Sequence, residues 1–128
     1  MADQIHMFDP KIYPRKLFVV KGKNKGKCIT SAFCTPDKEE LDVSDVDTAG
    51  ATTFPNVAFR DNGWLGVLVW IREDRRPKSL AHEAVHVVNA IFKQTGVDMH
   101  YEHDEHYAYM LGWVVDCLWQ VATNKFKD

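Results

Sequence analysis

Two histidines and a glutamate stand at the spacing H-E-x-x-H within residues 80–89. The apolar residues around them recur at helical intervals, so this segment is predicted to form a helix. Residues four apart lie one above the other on a helix, which lets His82 and His86 bring two imidazole nitrogens to one metal ion. Glu83 lies beside that position, where its carboxylate can take a proton from a metal-bound water. The alternative is a helix whose histidines are satisfied within the protein, and a third ligand would decide between the two.

The two sides of this predicted helix differ in polarity. One stripe is polar and comprises His82, His86, Asn89 and Lys93. The other is apolar and comprises Ala84, Val87, Val88 and Ile91. The apolar stripe predicts packing against a sheet. Asn89 is either a hydrogen-bond partner of a metal ligand or an ordinary polar residue at the edge of a cleft.

The segment 98–106 carries further candidate ligands. Its histidines are His100, His103 and His106. Any of them could bind the metal, or could instead donate a hydrogen bond to the oxyanion of a tetrahedral intermediate. Tyr107 and Tyr109 are alternatives for the second role.

A second apolar helix is predicted from about residue 104 to residue 123. Its inner stripe is predicted to comprise Ala108, Leu111, Val115, Leu118 and Ala122. Asp104 is predicted to cap the N-terminus of this helix through its carboxylate. A hydrogen bond from Asp104 to a metal ligand is the alternative role.

A hairpin is predicted directly upstream of the motif helix. Its strands are residues 56–60 and 64–71, joined by Asp61-Asn62-Gly63. Asn-Gly accepts the positive φ that a tight primed turn needs. The second strand is apolar on both faces, so we expect it to be covered on both, by helices on one side and by a cleft or partner on the other. An extended substrate is expected to pair with this strand along the cleft.

The remaining boundaries are predicted from turn and cap residues. A first hairpin is predicted from a strand at residues 16–20, a lysine-rich turn at 21–27 and a return strand at 28–30. Ser79 is predicted to be the N-cap of the motif helix, which should end at Thr95-Gly96.

Composition excludes several classes of protein. The chain has 128 residues with 45% hydrophobic content, enough for a single domain over residues 1–128 with its own core. Its net charge of -2 gives no general attraction to nucleic acid or to an anionic membrane, so neither is predicted as a partner. The three cysteines form no C-x-x-C pair and are interpreted as reduced thiols. With no secretory signal and no apolar run near ~20 residues, these features predict a cytoplasmic protein.

The motif and the start of the second predicted helix together resemble a known family. His82-Glu83-x-x-His86, with Asp104-Glu105-x-x-Ala108-Tyr109 at the head of an apolar helix, is similar to the gluzincin pattern. It looks most like the very short gluzincin-like proteins found in phages and mobile elements, over residues 64–119. The resemblance implies that Glu105, 19 residues after His86, is the third zinc ligand. The dipole of the second helix would keep this carboxylate anionic. The metzincin pattern does not fit, because Asn89 and Phe92 replace its glycine and third histidine.

The resemblance implies an α+β, zincin-like fold, in which a small, mostly antiparallel sheet packs on the motif helix and a C-terminal helix closes the site. It implies a zinc-dependent hydrolase, most naturally a peptidase acting on a peptide or protein, with zinc polarising the scissile carbonyl and Glu83 as general base. The alternative is a binding module that keeps zinc and the zincin scaffold without catalysis.

Overall fold

The computed structural model describes residues 4–22, 27–43, 51–72 and 76–126. Its elements, in chain order, are β1 (Gln4–Phe8), β2 (Lys16–Gly22), α1 (Lys27–Ala32), β3 (Phe33–Cys34), β4 (Ala51–Phe59), β5 (Leu65–Arg72), α2 (Pro77–Thr95) and α3 (Glu105–Thr123). These strands form a five-stranded sheet in the order β1-β2-β5-β4-β3. The α+β class is therefore confirmed, with α2 and α3 packed together beside the sheet.

The sheet is mixed, so the prediction of a mostly antiparallel sheet was wrong in one respect. β2 pairs with β5 in parallel, from Lys16 opposite Gly66 to Gly22 opposite Arg72. The predicted first hairpin fails because residues 28–30 lie in α1 instead of a return strand. Its predicted turn includes residues 23–26, which lie outside the described part of the chain. The apolar strand β2 takes its partner from distant sequence, which local patterns do not encode.

The predicted second hairpin is confirmed, with a different turn. β4 and β5 pair in antiparallel fashion, and Gly63 has a φ of 74°. Asn62 does not have a positive φ, which a two-residue primed turn would require, so the connection is a wider loop. At the start of β5, a β-carbon on Gly66 would lie 2.2 Å from the carbonyl oxygen of Lys16. Glycine is therefore required where β2 and β5 approach each other.

Both faces of β5 are covered, as predicted, since its side chains enter two cores on opposite sides of the sheet. The core beneath α2 and α3 takes Leu17, Val19, Val67, Val69 and Ile71 from the strands. The predicted apolar stripe of α2 is buried in it, namely Ala84, Val87, Val88 and Ile91. The opposite core contains Phe18, Val20, Leu68 and Trp70 with Ile29 of α1 and Leu41. Full burial of such side chains contributes about 1.5–3 kcal/mol each. α1 and the segment after β3 thus cover the face that was expected to meet a cleft or partner.

For α2, the predicted C-terminal boundary agrees with the structure, and the predicted N-cap does not. Gly96 ends α2 with a φ of 73°, and its N–H donates to the carbonyl of Phe92. The N-cap of α2 is Arg76 with Pro77 next to it, so Ser79 lies inside the first turn and the prediction of an N-cap there was wrong. Pro77 begins the helix because its fixed φ suits the first helical position, where its missing N–H is not needed.

The buried face of α3 differs from the predicted stripe. Its buried residues are Met110, Val114, Cys117, Leu118, Gln120 and Val121. Leu118 is shared with the prediction, and Leu111, Val115 and Ala122 of the predicted stripe are partly buried against the same core, whereas Ala108 is exposed. Because α3 is apolar around much of its circumference, periodicity does not decide which side meets α2 and the sheet. No helix in the described ranges has the length and hydropathy to cross a membrane.

Candidate metal centre

A cleft of about 660 Å³ lies between α2 and β4. It is lined by Ala51, Thr52, Thr53 and Pro55 of β4 and by His82, Glu83, His86, Asn89, Ala90 and Lys93 of α2. The polar stripe of α2 is thus one wall, as its spacing predicts. The other wall is β4, and the prediction that residues 64–71 lie along the cleft was wrong. β5 is an interior strand, hydrogen-bonded to β2 on one side and β4 on the other.

The two motif histidines converge in this cleft. Their Nε2 atoms are 3.3 Å apart, and the ring centroids are 4.9 Å apart with the rings nearly perpendicular. Both side chains are exposed, because the polar stripe of α2 faces away from the core. Two nitrogens bound to a tetrahedral zinc at ~2.0–2.1 Å would lie about 3.3–3.4 Å apart. The separation of the two Nε2 atoms is that of a hydrogen bond between the rings, and it also equals the spacing of two ligands on one zinc ion.

Glu83 is held between the histidines and β4. It is 9% exposed, and its Oε1 accepts a hydrogen bond of 2.8 Å from the hydroxyl of Thr53. Its Oε2 lies 3.9 Å from Nε2 of His82. One carboxylate oxygen is therefore tied to the strand while the other faces the histidine pair. A nearly buried carboxylate with one free oxygen beside two imidazoles can accept a proton from a water bound there.

Asn89 connects the cleft to α3. The hydroxyl of Tyr107 donates a hydrogen bond of 2.9 Å to Oδ1 of Asn89 and lies 3.5 Å from the carbonyl oxygen of Val85. Partial burial raises the pKa of Tyr107, so its hydroxyl stays protonated and remains a donor. Tyr107 thus orients Asn89 at the cleft instead of reaching the cleft itself.

The structure does not bring Glu105 to the histidine pair. Glu105 begins α3 as an exposed residue and does not line the cleft. Asp104 occupies the N-cap position as predicted, but its carboxylate makes no capping hydrogen bond. Across the described ranges, no three His, Cys, Asp or Glu side chains are placed to share a metal ion. The arrangement therefore supplies two candidate ligands and a carboxylate beside them, without a third ligand in place.

The other histidines and tyrosines considered from the sequence lie elsewhere. His100 and His103 are exposed in the segment before α3. His106 stacks on Phe92 with centroids 5.3 Å apart, and its Nε2 lies 3.4 Å from the carbonyl oxygen of Asp98. Tyr109 is 78% exposed and lines a separate cavity together with His106. None of these four side chains lines the cleft.

Sequence reasoning missed Thr53. The predicted strand began at residue 56, whereas β4 begins at Ala51 and continues through Pro55 with a register shift between Phe54 and Val57. The β-branched pair Thr52-Thr53 was a local signal for the longer strand. The contact with Glu83 spans 30 residues and has no signal of its own in the sequence.

Comparison with protein-family models, with curated proteins and with solved structures finds no match to this chain.

Proposed function

We propose that this protein is a zinc-dependent hydrolase with a zincin-like fold, most naturally a peptidase. His82 and His86 are the proposed zinc ligands from α2, and Glu105 is the proposed third ligand from α3. The observation that carries the proposal is the Nε2 pair at 3.3 Å with the Glu83 carboxylate beside it. Glu105 is exposed at the head of α3, so its proposed role requires that the side chain move toward the pair.

Zinc, when bound, would supply a Lewis acid that polarises the scissile carbonyl and acidifies a water. Glu83 would accept the proton of the attacking water at Oε2, because Oε1 is engaged by Thr53. The Thr53 hydroxyl limits rotation of the carboxylate and so keeps Oε2 directed at the histidine pair. Asn89 offers a further hydrogen bond to the substrate from a side chain fixed by Tyr107.

The proposed substrate is a peptide or a protein, which would bind along β4. β3 pairs with β4 only at Phe33 opposite Phe59 and Cys34 opposite Ala58. Within the described part of the chain, the stretch from Ala51 to Pro55 therefore has no strand on the side away from β5. An extended peptide can pair with such an edge through main-chain hydrogen bonds.

A cytoplasmic location is also proposed. Its support is the cysteine pattern of the sequence, in which the three cysteines form no C-x-x-C pair. Cys34 and Cys117 are buried, where they act as small apolar side chains. Such thiols are typical of reducing compartments.

Replacing Glu83 by Gln is the direct test of the proposal. The change keeps the shape of the side chain and removes the base, so hydrolysis of a quenched fluorogenic peptide pool should fall by about a hundredfold or more. Zinc content, measured by elemental analysis, should remain near one equivalent. Glu40→Gln, at an exposed glutamate that does not line the cleft, is the matched control and should change neither quantity. Full retention of an observed activity in Glu83→Gln would contradict the mechanism.

A protein that binds zinc and peptides but hydrolyses none would favour the alternative, a binding module on the same scaffold. Thr53 refines the test if activity is found. Thr53→Val should lower kcat with little change in KM, because it frees the carboxylate without removing it. Thr53→Ser keeps the hydroxyl and should restore most of the rate.

A further inference from the structure

The polar stripe of α2 continues past the histidines toward the end of the helix. Asn89 and Lys93 come after His86 at intervals of three and four residues, and both line the cleft. Oδ1 of Asn89 accepts the hydroxyl of Tyr107, which leaves the amide N–H₂ as the group it can offer to a ligand. This half of the cleft therefore presents hydrogen-bond donors.

The charges lining the cleft are separated along its length. Among the described lining residues, Lys93 is the one lysine or arginine and Glu83 is the one carboxylate. Glu83 lies ten residues earlier on α2, about 15 Å away by the helix rise, so the two do not neutralise each other. Glu83 is also engaged by Thr53. Within the described part of the chain, the far end of the cleft therefore carries the positive charge of Lys93 with no carboxylate in the lining beside it, which suits an anion.

The distance from the histidine pair to this charge matches a short length of peptide. Lys93 is seven positions after His86, which is about 10 Å along the helix. An extended chain advances about 3.3 Å per residue, so a peptide lying beside β4 would cover that distance in roughly three residues.

We propose that the cleft selects ligands that carry a carboxylate about three residues from the position held at the histidine pair. This inference rests on the proposed function, since that position is where the scissile bond would lie. Lys93 binds the carboxylate, and the amide of Asn89 donates to a peptide carbonyl between the two. The carboxylate belongs either to the C-terminus of the peptide or to an aspartate or glutamate side chain.

Lys93 has a second effect, because it stands in the last turn of α2, where a positive charge stabilises the helix dipole. That effect is independent of any ligand. A selectivity measurement distinguishes the two roles, since loss of the dipole interaction would not change the preference between two peptides.

The test uses fluorescein-labelled peptides of one length that differ in a single group. One has a free C-terminal carboxylate, one a C-terminal amide, and two amidated peptides carry Asp or Asn at a scanned internal position. Binding is measured by fluorescence anisotropy at low salt to zinc-supplemented Glu83→Gln protein, which should not consume the probe. The carboxylate peptides should bind roughly fivefold to tenfold more tightly than their neutral partners. The preference should shrink at high salt.

Variants at two lysines of the same helix provide the control. Lys93→Met should remove the preference and Lys93→Arg should retain most of it. Lys78→Met, at an exposed lysine of the first turn that does not line the cleft, should leave it unchanged. The more tightly bound of the two carboxylate peptides identifies the source of the carboxylate.

Equal binding of charged and neutral peptides would overturn the inference, as would a preference that survives in Lys93→Met or the absence of any peptide binding. Failure of the hydrolase proposal gives a different pattern. If the protein binds no zinc and hydrolyses no peptide but still shows a carboxylate preference that depends on Lys93, the hydrolase proposal is wrong and the selectivity inference stands. If hydrolysis requires Glu83 but shows no preference for a carboxylate, the hydrolase proposal stands and the selectivity inference is wrong.

Discussion

The molecule has two histidine-rich segments, and they differ in what their side chains do. On α2, His82 and His86 are one helical turn apart and their Nε2 atoms lie 3.3 Å from each other. In the segment before α3, His103 contacts His100 through the backbone, its N–H donating to the carbonyl oxygen of His100 at 3.1 Å. His106 packs on Phe92. The residue types are the same, but the contact between imidazole nitrogens is found on α2.

The comparison shows the value of a rigid element for a binding site. Helix geometry places residues four apart at a set distance. The backbone of His82 and His86 is therefore already fixed, and only their side-chain torsion angles must be set for both to bind one ion. A ligand from the segment before α3 has no helical repeat to set its distance from a partner, and each residue whose backbone had to be newly fixed would cost about 1–2 kcal/mol. Glu83 shares the advantage of α2 and gains a further restraint from the Thr53 hydroxyl.

The largest expected effect comes from removing the convergent pair. His82→Ala or His86→Ala should weaken zinc binding by more than about a hundredfold, because each removes a direct ligand. His100→Ala and His103→Ala should leave zinc affinity within about twofold, as neither lines the cleft. Affinity is measured by competition with a chromogenic chelator at fixed pH, since protons compete with zinc for imidazole. Loss of zinc in His100→Ala or His103→Ala alone would mean that the metal binds in the other segment.

An intermediate effect on zinc affinity is expected at Glu105, the proposed third ligand. Glu105→Ala should weaken zinc binding by about tenfold or more if this carboxylate completes the site when metal is present. His100→Ala, His103→Ala and His106→Ala should each have a smaller effect in the same competition assay. Asp104→Ala is the matched control, an adjacent carboxylate at the N-cap that makes no capping hydrogen bond. Zinc affinity unchanged in Glu105→Ala but lost in His106→Ala would reject Glu105 as the third ligand.

The smallest expected effect is on stability and comes from His106, whose ring packs on Phe92 and is not expected to bind zinc. His106→Ala removes the ring stacked on Phe92 and should lower the free energy of unfolding by about 1 kcal/mol, without changing zinc affinity. His103→Ala, at an exposed ring, should change stability by less than about 0.5 kcal/mol. Urea denaturation monitored by circular dichroism gives both values. Equal stability of the two variants would mean that the stack with Phe92 contributes nothing measurable.

The part of the fold that the sequence predicted correctly is local. The apolar stripe of α2 and its end at Gly96 arise from spacing and from a glycine that accepts a positive φ. The β4–β5 hairpin was also recognised from its strands and turn residues. The buried face of α3 was recognised only in part, because an apolar helix with several suitable faces leaves the choice to its packing partners.

By itself, the sequence determined the spacing of His82 and His86, since four residues of helix place their nitrogens on one side wherever α2 lies. Tertiary structure decided what faces that pair. It made β4, instead of β5, the wall of the cleft that faces the histidines, and it brought the Thr53 hydroxyl to Glu83 across 30 residues of chain. It also left Glu105 exposed at the head of α3. Contacts within one helix depend on a repeat that the chain carries locally, whereas contacts between elements depend on strand order and core packing, which no single segment encodes.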